Sequence, residues 1–200
     1  MNITNTDYFT FNIHNSAVVV GQTGSGKTEL VKSYIKRLEQ AFTPEQMQYV
    51  IYDLKQIEFD PEYGGVKEEY LYTPVRTGKP EDMDCLEQLA GLAQARADGN
   101  EAKDKLLFIY IEECDMACAY PDRFPRAVMT INKYAKQANM KLIYSTSRPA
   151  QDTLPTELRN SFDLLLCGSY SLLPANAEAV GIPQAVNLDT YQFIVLEHLS

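Results

Sequence analysis

Short apolar runs rich in β-branched and aromatic residues alternate along this chain with longer stretches of helical patterning. The runs fall at 17–20, 49–53, 70–73, 106–111, 141–146, 162–167 and 191–196, and helices are predicted over 27–41, 80–98, 126–139 and, briefly, 156–160. The apolar runs are continuous and do not alternate in and out, which describes strands buried on both faces. The pattern therefore predicts an α/β fold, a mainly parallel sheet covered by helices on both faces. The acidic segment 59–69 and the polar segment 98–105 carry loop chemistry, not linker chemistry, so residues 1–200 are expected to form one domain. Beyond Tyr170 the chain reads as a short loop and a last strand.

Composition narrows the function classes. With 45% hydrophobic and 22% charged residues over 200 positions, the chain is an ordinary globular sequence. At that length it can bury roughly two thirds of its unfolded surface without a disulfide or metal staple. The four cysteines (Cys85, Cys114, Cys118 and Cys167) form no CxxC pair, and only His14 and His198 are available to complete a metal site, so packed, reduced thiols are expected. A net charge of −9 excludes attachment to nucleic acid by bulk charge; such a contact needs a local patch or a ring of subunits. The first residues lack the basic start and apolar core of a signal peptide, and no apolar run approaches the ~18 residues of a membrane span. A cytoplasmic protein with no direct membrane insertion is expected.

The sharpest chemistry lies where the first apolar run meets the first helix. Gly21-Gln22-Thr23-Gly24-Ser25-Gly26-Lys27-Thr28 is a G-x-x-x-x-G-K-T loop between a strand and a helix, the context in which this motif has meaning. Its glycines let backbone N–H groups turn inward around phosphate oxygens, and the helix N-terminus adds positive potential. Lys27 is placed to reach the β- and γ-phosphates and Thr28 to ligate Mg²⁺. The expected binding set is Gly21, Gln22, Thr23, Gly24, Ser25, Gly26, Lys27, Thr28 and Glu29, with ATP and Mg²⁺ as cofactors.

A second signal sits about 80 residues later. The apolar run 106–111 ends in Glu112-Glu113, the Walker B arrangement of a strand closing on two acids. Glu112 is expected to orient the metal and Glu113 to polarise the attacking water, with Asp115 as a fallback base. Two consecutive carboxylates favour a hydrolase over a kinase or a passive nucleotide switch. No N/T-K-x-D guanine motif and no lid with paired arginines is present. The run 141–146 ends in Ser147-Arg148-Pro149, and Ser147 is a candidate sensor of the terminal phosphate or lytic water.

The order GQTGSGKT, YDLKQIEF, LYTPVRTGKPEDMDCLEQL, FIYIEECDM and KLIYSTSRPAQDTLPTELRNSFDLLLCGSY resembles the motor domain of the FtsK/SpoIIIE branch of the FtsK–HerA ATPases, over residues 15–170. The TSRP and TPV segments discriminate more than the phosphate loop, which many families share. The resemblance implies a RecA-like sheet, a ring of six subunits, and ATP-driven movement of double-stranded DNA, with a membrane or capsid partner as anchor. It also implies a cation supplied in trans to the γ-phosphate; Lys136, Arg148 and Arg159 are the candidates. The sequence departs from the family pattern in four places. Leu54 replaces a proline, Glu112 an aspartate and Ser147 a glutamine, and Lys136 falls where an arginine often sits.

DNA would pass loops lining the ring. The segments expected to supply them are 120–126, with Arg123 and Arg126, and the polar stretch 100–105. Phosphate contacts of this kind carry no sequence preference. Two alternatives stand beside the DNA motor: a related motor that moves protein, and a P-loop assembly or regulatory protein without turnover.

Overall fold

The computed structural model describes residues 2–5, 15–112 and 115–197. Seven strands form one sheet: β1 (Asn2–Asn5), β2 (Ser16–Val20), β3 (Met47–Asp53), β4 (Leu106–Glu112), β5 (Met140–Thr146), β6 (Leu164–Cys167) and β7 (Gln192–Glu197). Their order across the sheet is β1-β7-β6-β2-β5-β4-β3. The five strands from β6 to β3 run parallel, and β7 and β1 extend the β6 edge antiparallel. The helices are α1 (Lys27–Ala41), α2 (Pro80–Ala97), α3 (Asp115–Ala119), α4 (Arg123–Tyr134), α5 (Thr156–Asn160) and α6 (Pro174–Ala179).

Successive strand residues feed opposite cores. Val18, Val20, Ile109, Ile111, Leu142 and Tyr144 face the layer containing α2, α4 and α5. Ala17, Val19, Phe108, Tyr110 and Ile143 face α1 and the 59–70 segment. Both faces being covered explains why the central strands carry apolar residues on both faces and do not alternate apolar with polar. This is the mostly parallel, helix-covered sheet the patterning predicts, with β2 at its middle. The C-terminal ends of β2, β4 and β5 therefore converge on one crevice, where an open α/β sheet places its ligand.

Three local expectations are corrected. The run 70–73 is not a strand: a 3₁₀ turn at Glu68–Tyr70 is followed by isolated bridges from Leu71 to Tyr49 and from Arg76 to Tyr52 along the outer edge of β3. Pro74 lies between the two bridges and has no N–H to donate, so no continuous ladder forms. The segment 120–126 is mostly helix, because α4 begins at Arg123 with Pro125 in its first turn, where proline costs no hydrogen bond. The same helix ends at Tyr134, five residues short of the predicted boundary, and Asn139 adopts a left-handed φ of 53° before β5. The sequence pattern predicts neither the strand β1 nor the short helices α3 and α6.

Candidate nucleotide-binding site

Helix α1 begins at Gly26, whose φ of 98° no ordinary side chain favours, and no side chain caps it. Its first-turn N–H groups are thus left for an external acceptor. The loop before it lies in a cleft of about 230 Å³ lined by Thr23, Gly24, Gly26, Lys27, Thr28, Glu29, Lys55, Glu58 and Tyr191. Two larger clefts, of about 780 and 740 Å³, flank the 56–77 segment but contain none of the loop glycines or Lys27. Size does not mark the chemistry here.

Lys27 is buried and folded onto the loop, its Nζ donating to the carbonyls of Gly21 at 2.8 Å and Gln22 at 3.2 Å. The Thr28 hydroxyl donates to Glu112 Oε1 at 2.8 Å, joining the start of α1 to the tip of β4. Lys55 Nζ stands 3.5 Å from the same oxygen. The other oxygen, Glu112 Oε2, is buried with no hydrogen-bond partner among the described residues. Burial pushes the Glu112 carboxyl above the usual carboxylate range; neighbouring Asp53 pushes the same way, while Thr28 and Lys55 pull it down.

In the strand register Glu112 sits opposite Asp53 on one side and Ser145 on the other. Asp53 is fully buried, and its carboxylate accepts the backbone N–H groups of Lys55, Gln56, Ile57, Glu58 and Phe59. Ser145 Oγ shares a 2.9 Å hydrogen bond with Tyr110 Oη. Ser147 follows directly on β5 and is half-buried at this end of the sheet. Glu113, expected as the general base, lies outside the described residues, as does Cys114. Asp115, the fallback, is the exposed first residue of α3.

The remaining candidates are distributed over the molecule. Arg148 follows β5 on the crevice side and pairs with Asp152 at 2.6 Å. Arg159, in α5, donates to the carbonyl of Ala179 near the end of α6. Lys136 belongs to the opposite end of the sheet, where it lines a groove with Arg126, Lys133 and Asp163. Arg123 is clamped to α2 by Glu87, through both carboxylate oxygens, and by Asp84. The stretch 100–105 is also at that opposite end, tied by Lys103 Nζ to the carbonyl of Gln137.

One residue of the predicted binding set has a further part in the crevice, and one residue outside that set, Tyr191, joins it. Gln22 docks the 169–172 segment: its N–H donates to Ser169 O, its Nε2 to Ser171 Oγ, and its Oε1 accepts from the N–H of Leu172. Tyr191 was assigned simply to the last strand. It stands instead before β7, half-exposed at 49%, with its N–H on the carbonyl of Ser25. Nothing in the local sequence marks it, because its proximity to Gly26 is created by strand order.

Among the described residues, no helix is long and apolar enough to cross a membrane. No family model matches the chain. Curated DNA translocases named FtsK from Mycobacterium tuberculosis (strain CDC 1551 / Oshkosh) and Streptomyces coelicolor are 25% identical over 167 residues, covering 68% of this chain. The chain spans only about a fifth of the length of these relatives, 20% and 18% respectively. Among solved structures, the conjugation coupling protein TcpA of pCW3, with ATPγS, superposes with a TM-score of 0.72 at 16% identity, over 96% of this chain and 60% of that one. The Type VII secretion ATPase EccC of Thermomonospora curvata gives 0.70 at 17% identity, over 93% of this chain and 24% of that one. The genome-packaging NTPase B204 of Sulfolobus turreted icosahedral virus 2, with AMP, gives 0.60 at 19% identity and 93% coverage of both chains. In sequence the chain is weakly similar to the FtsK-type DNA translocases, and its fold is that of these P-loop ATPase structures.

Proposed function

We propose that this chain is the ATP-hydrolysing motor of a cytoplasmic ring of six copies that moves double-stranded DNA without sequence preference. The observation that carries the reading is the junction of loop and strand. Thr28 bonds one oxygen of buried Glu112 while the other oxygen has no partner among the described residues, beside a helix start whose N–H groups no side chain caps. The hard oxygens of Thr28 and Glu112 fit Mg²⁺, which when bound with ATP neutralises charge on the β- and γ-phosphate oxygens. Gly21 to Glu29 cradle the phosphates, and Lys27 exchanges the carbonyls of Gly21 and Gln22 for phosphate oxygens. Glu113 is the base for the lytic water by its place after Glu112, and Ser147 reports the terminal phosphate.

A ring brings a neighbour's cation to that phosphate. Arg148 and Arg159 already hold partners within the subunit, which favours Lys136 for this part. The same logic separates the two DNA candidates. Arg123 is neutralised by Asp84 and Glu87, whereas Arg126 lines the open groove with Lys133. Arg126, repeated around the ring, supplies a local cationic path on an otherwise acidic protein.

The test is ATP turnover with and without long double-stranded DNA, in wild type and Glu113→Gln. Stimulation by DNA, lost in the variant, is the expected result; sedimentation showing only monomer with ATP, Mg²⁺ and DNA would remove the ring. The resemblance of the fold to EccC supports a second reading, in which the cargo is a protein. Turnover indifferent to DNA and raised by peptide would select it.

A further inference from the structure

The crevice holds a residue whose backbone is under strain and whose role the phosphate chemistry does not require. Tyr191 has a φ of 69°, in the left-handed region that a bulky side chain seldom enters. Its conformation is held by the hydrogen bond from its N–H to Ser25 O, within the phosphate loop, at 3.1 Å. The ring lies against the loop backbone so closely that a Cβ on Gly26 would come within 2.5 Å of Tyr191 Cδ1 and 3.2 Å of its Cα. Gly26 is therefore a glycine for two reasons, its own positive φ and the ring beside it.

Packing alone does not account for this placement. The side chain is not part of either hydrophobic core, and 49% of the residue remains exposed. Its open side forms one wall of the cleft that Lys27, Thr28, Glu29 and Lys55 also line. A triphosphate seated with its terminal phosphate towards Lys27, Thr28 and Glu112 leaves its nucleoside nearer the mouth, where that wall stands. Among the described residues the cleft is otherwise lined by glycine, short hydroxyls and charged groups, and Tyr191 gives it an aromatic surface for a base.

We propose that Tyr191 is the platform for the nucleoside of the bound nucleotide, its exposed ring face stacking on the base while its backbone fixes the phosphate loop. The inference rests on the nucleotide reading of this cleft. It makes the segment before β7 part of the binding site, and it assigns recognition of the base to stacking, with the phosphates held by the loop.

Two variants and two ligands test it. Glycine suits a φ of 69°, so Tyr191→Gly removes the ring while relieving strain, and its melting temperature should match wild type or exceed it. Its dissociation constant for ATP should rise about tenfold, in line with base–aromatic stacking. Its dissociation constant for tripolyphosphate, measured by calorimetry, should stay within about twofold, because the phosphates never touch the ring. The chain contains no tryptophan, so Tyr191→Trp creates a single fluorophore at the site. ATP should change its emission strongly and tripolyphosphate should not. Equal loss of affinity for both ligands in Tyr191→Gly would make Tyr191 a buttress of the loop and overturn the platform. So would unchanged ATP affinity, or a tryptophan that responds alike to ATP and tripolyphosphate. Wild type that binds neither ligand would instead remove the nucleotide reading on which the platform depends.

Discussion

Two buried carboxylates stand side by side at the ends of adjacent strands, and they are satisfied in opposite ways. Asp53 and Glu112 are register partners across β3 and β4, and both are almost wholly removed from solvent. Asp53 collects five backbone N–H groups from the turn that follows it. Glu112 has a hydroxyl and a lysine on one oxygen and, among the described residues, no partner for the other. A saturated anion in a nest of N–H groups is a folding device, because its lone pairs are already used. An incompletely satisfied anion is a standing cost to the fold, and such a cost persists where a ligand makes up the missing contacts. Asp82 belongs with Asp53: it takes the N–H groups of Thr77, Gly78 and Lys79, and Arg76 besides.

The largest effect expected from breaking this comparison is on Asp53. Asp53→Ala leaves five backbone N–H donors, the buried one of Phe59 among them, without their acceptor and should lower unfolding free energy by roughly 3 kcal/mol, read from urea denaturation. An unchanged midpoint with lost turnover would reverse the assignment of the two acids. Glu112→Gln should act the other way. Turnover should fall by on the order of 10²-fold or more while the melting temperature at neutral pH holds or rises.

The pH profile sharpens the contrast. Because the Glu112 carboxyl is held above its ordinary value, the folded state binds a proton more tightly than the unfolded chain does. Its contribution is fully present below the unfolded pKa and is lost as pH rises through the higher folded value. Stability should therefore decline across that interval in wild type, and the decline should flatten in Glu112→Gln. Thr28→Val, which removes the donor to Glu112, should cost about 2 kcal/mol at pH 8 and less as pH falls through the raised folded pKa and the carboxylate takes up its proton. A cost independent of pH would show that the threonine acts by packing. Lys55→Met comes last: the side chain is 48% exposed, so solvent screens the pair and a loss under about 1 kcal/mol is expected, shrinking further in high salt.

Legibility followed locality. The boundaries of α1, Lys27–Ala41, coincide with those predicted, because a glycine loop opens it and its apolar face is written in adjacent residues. The central strands were legible from their continuous apolar runs. The helix α6 was missed because only six residues form it, too few for periodicity to show. At 70–73 the apolar residues suggested a strand, and Pro74 limited it to single bridges.

The same division holds at the site. The residues themselves fixed a phosphate loop, a strand ending in acids and the kind of sheet that carries both, since these depend on spacing within short segments. Only the tertiary structure brought Thr28 onto Glu112, matched Glu112 with Asp53, and placed Tyr191 against Gly26 across 165 positions of sequence. It also separated Arg123, held by acids of α2, from Arg126 in its open groove. Charge and hydrogen-bonding capacity belong to a residue type, but whether that capacity is already used depends on neighbours that strand order and helix packing supply.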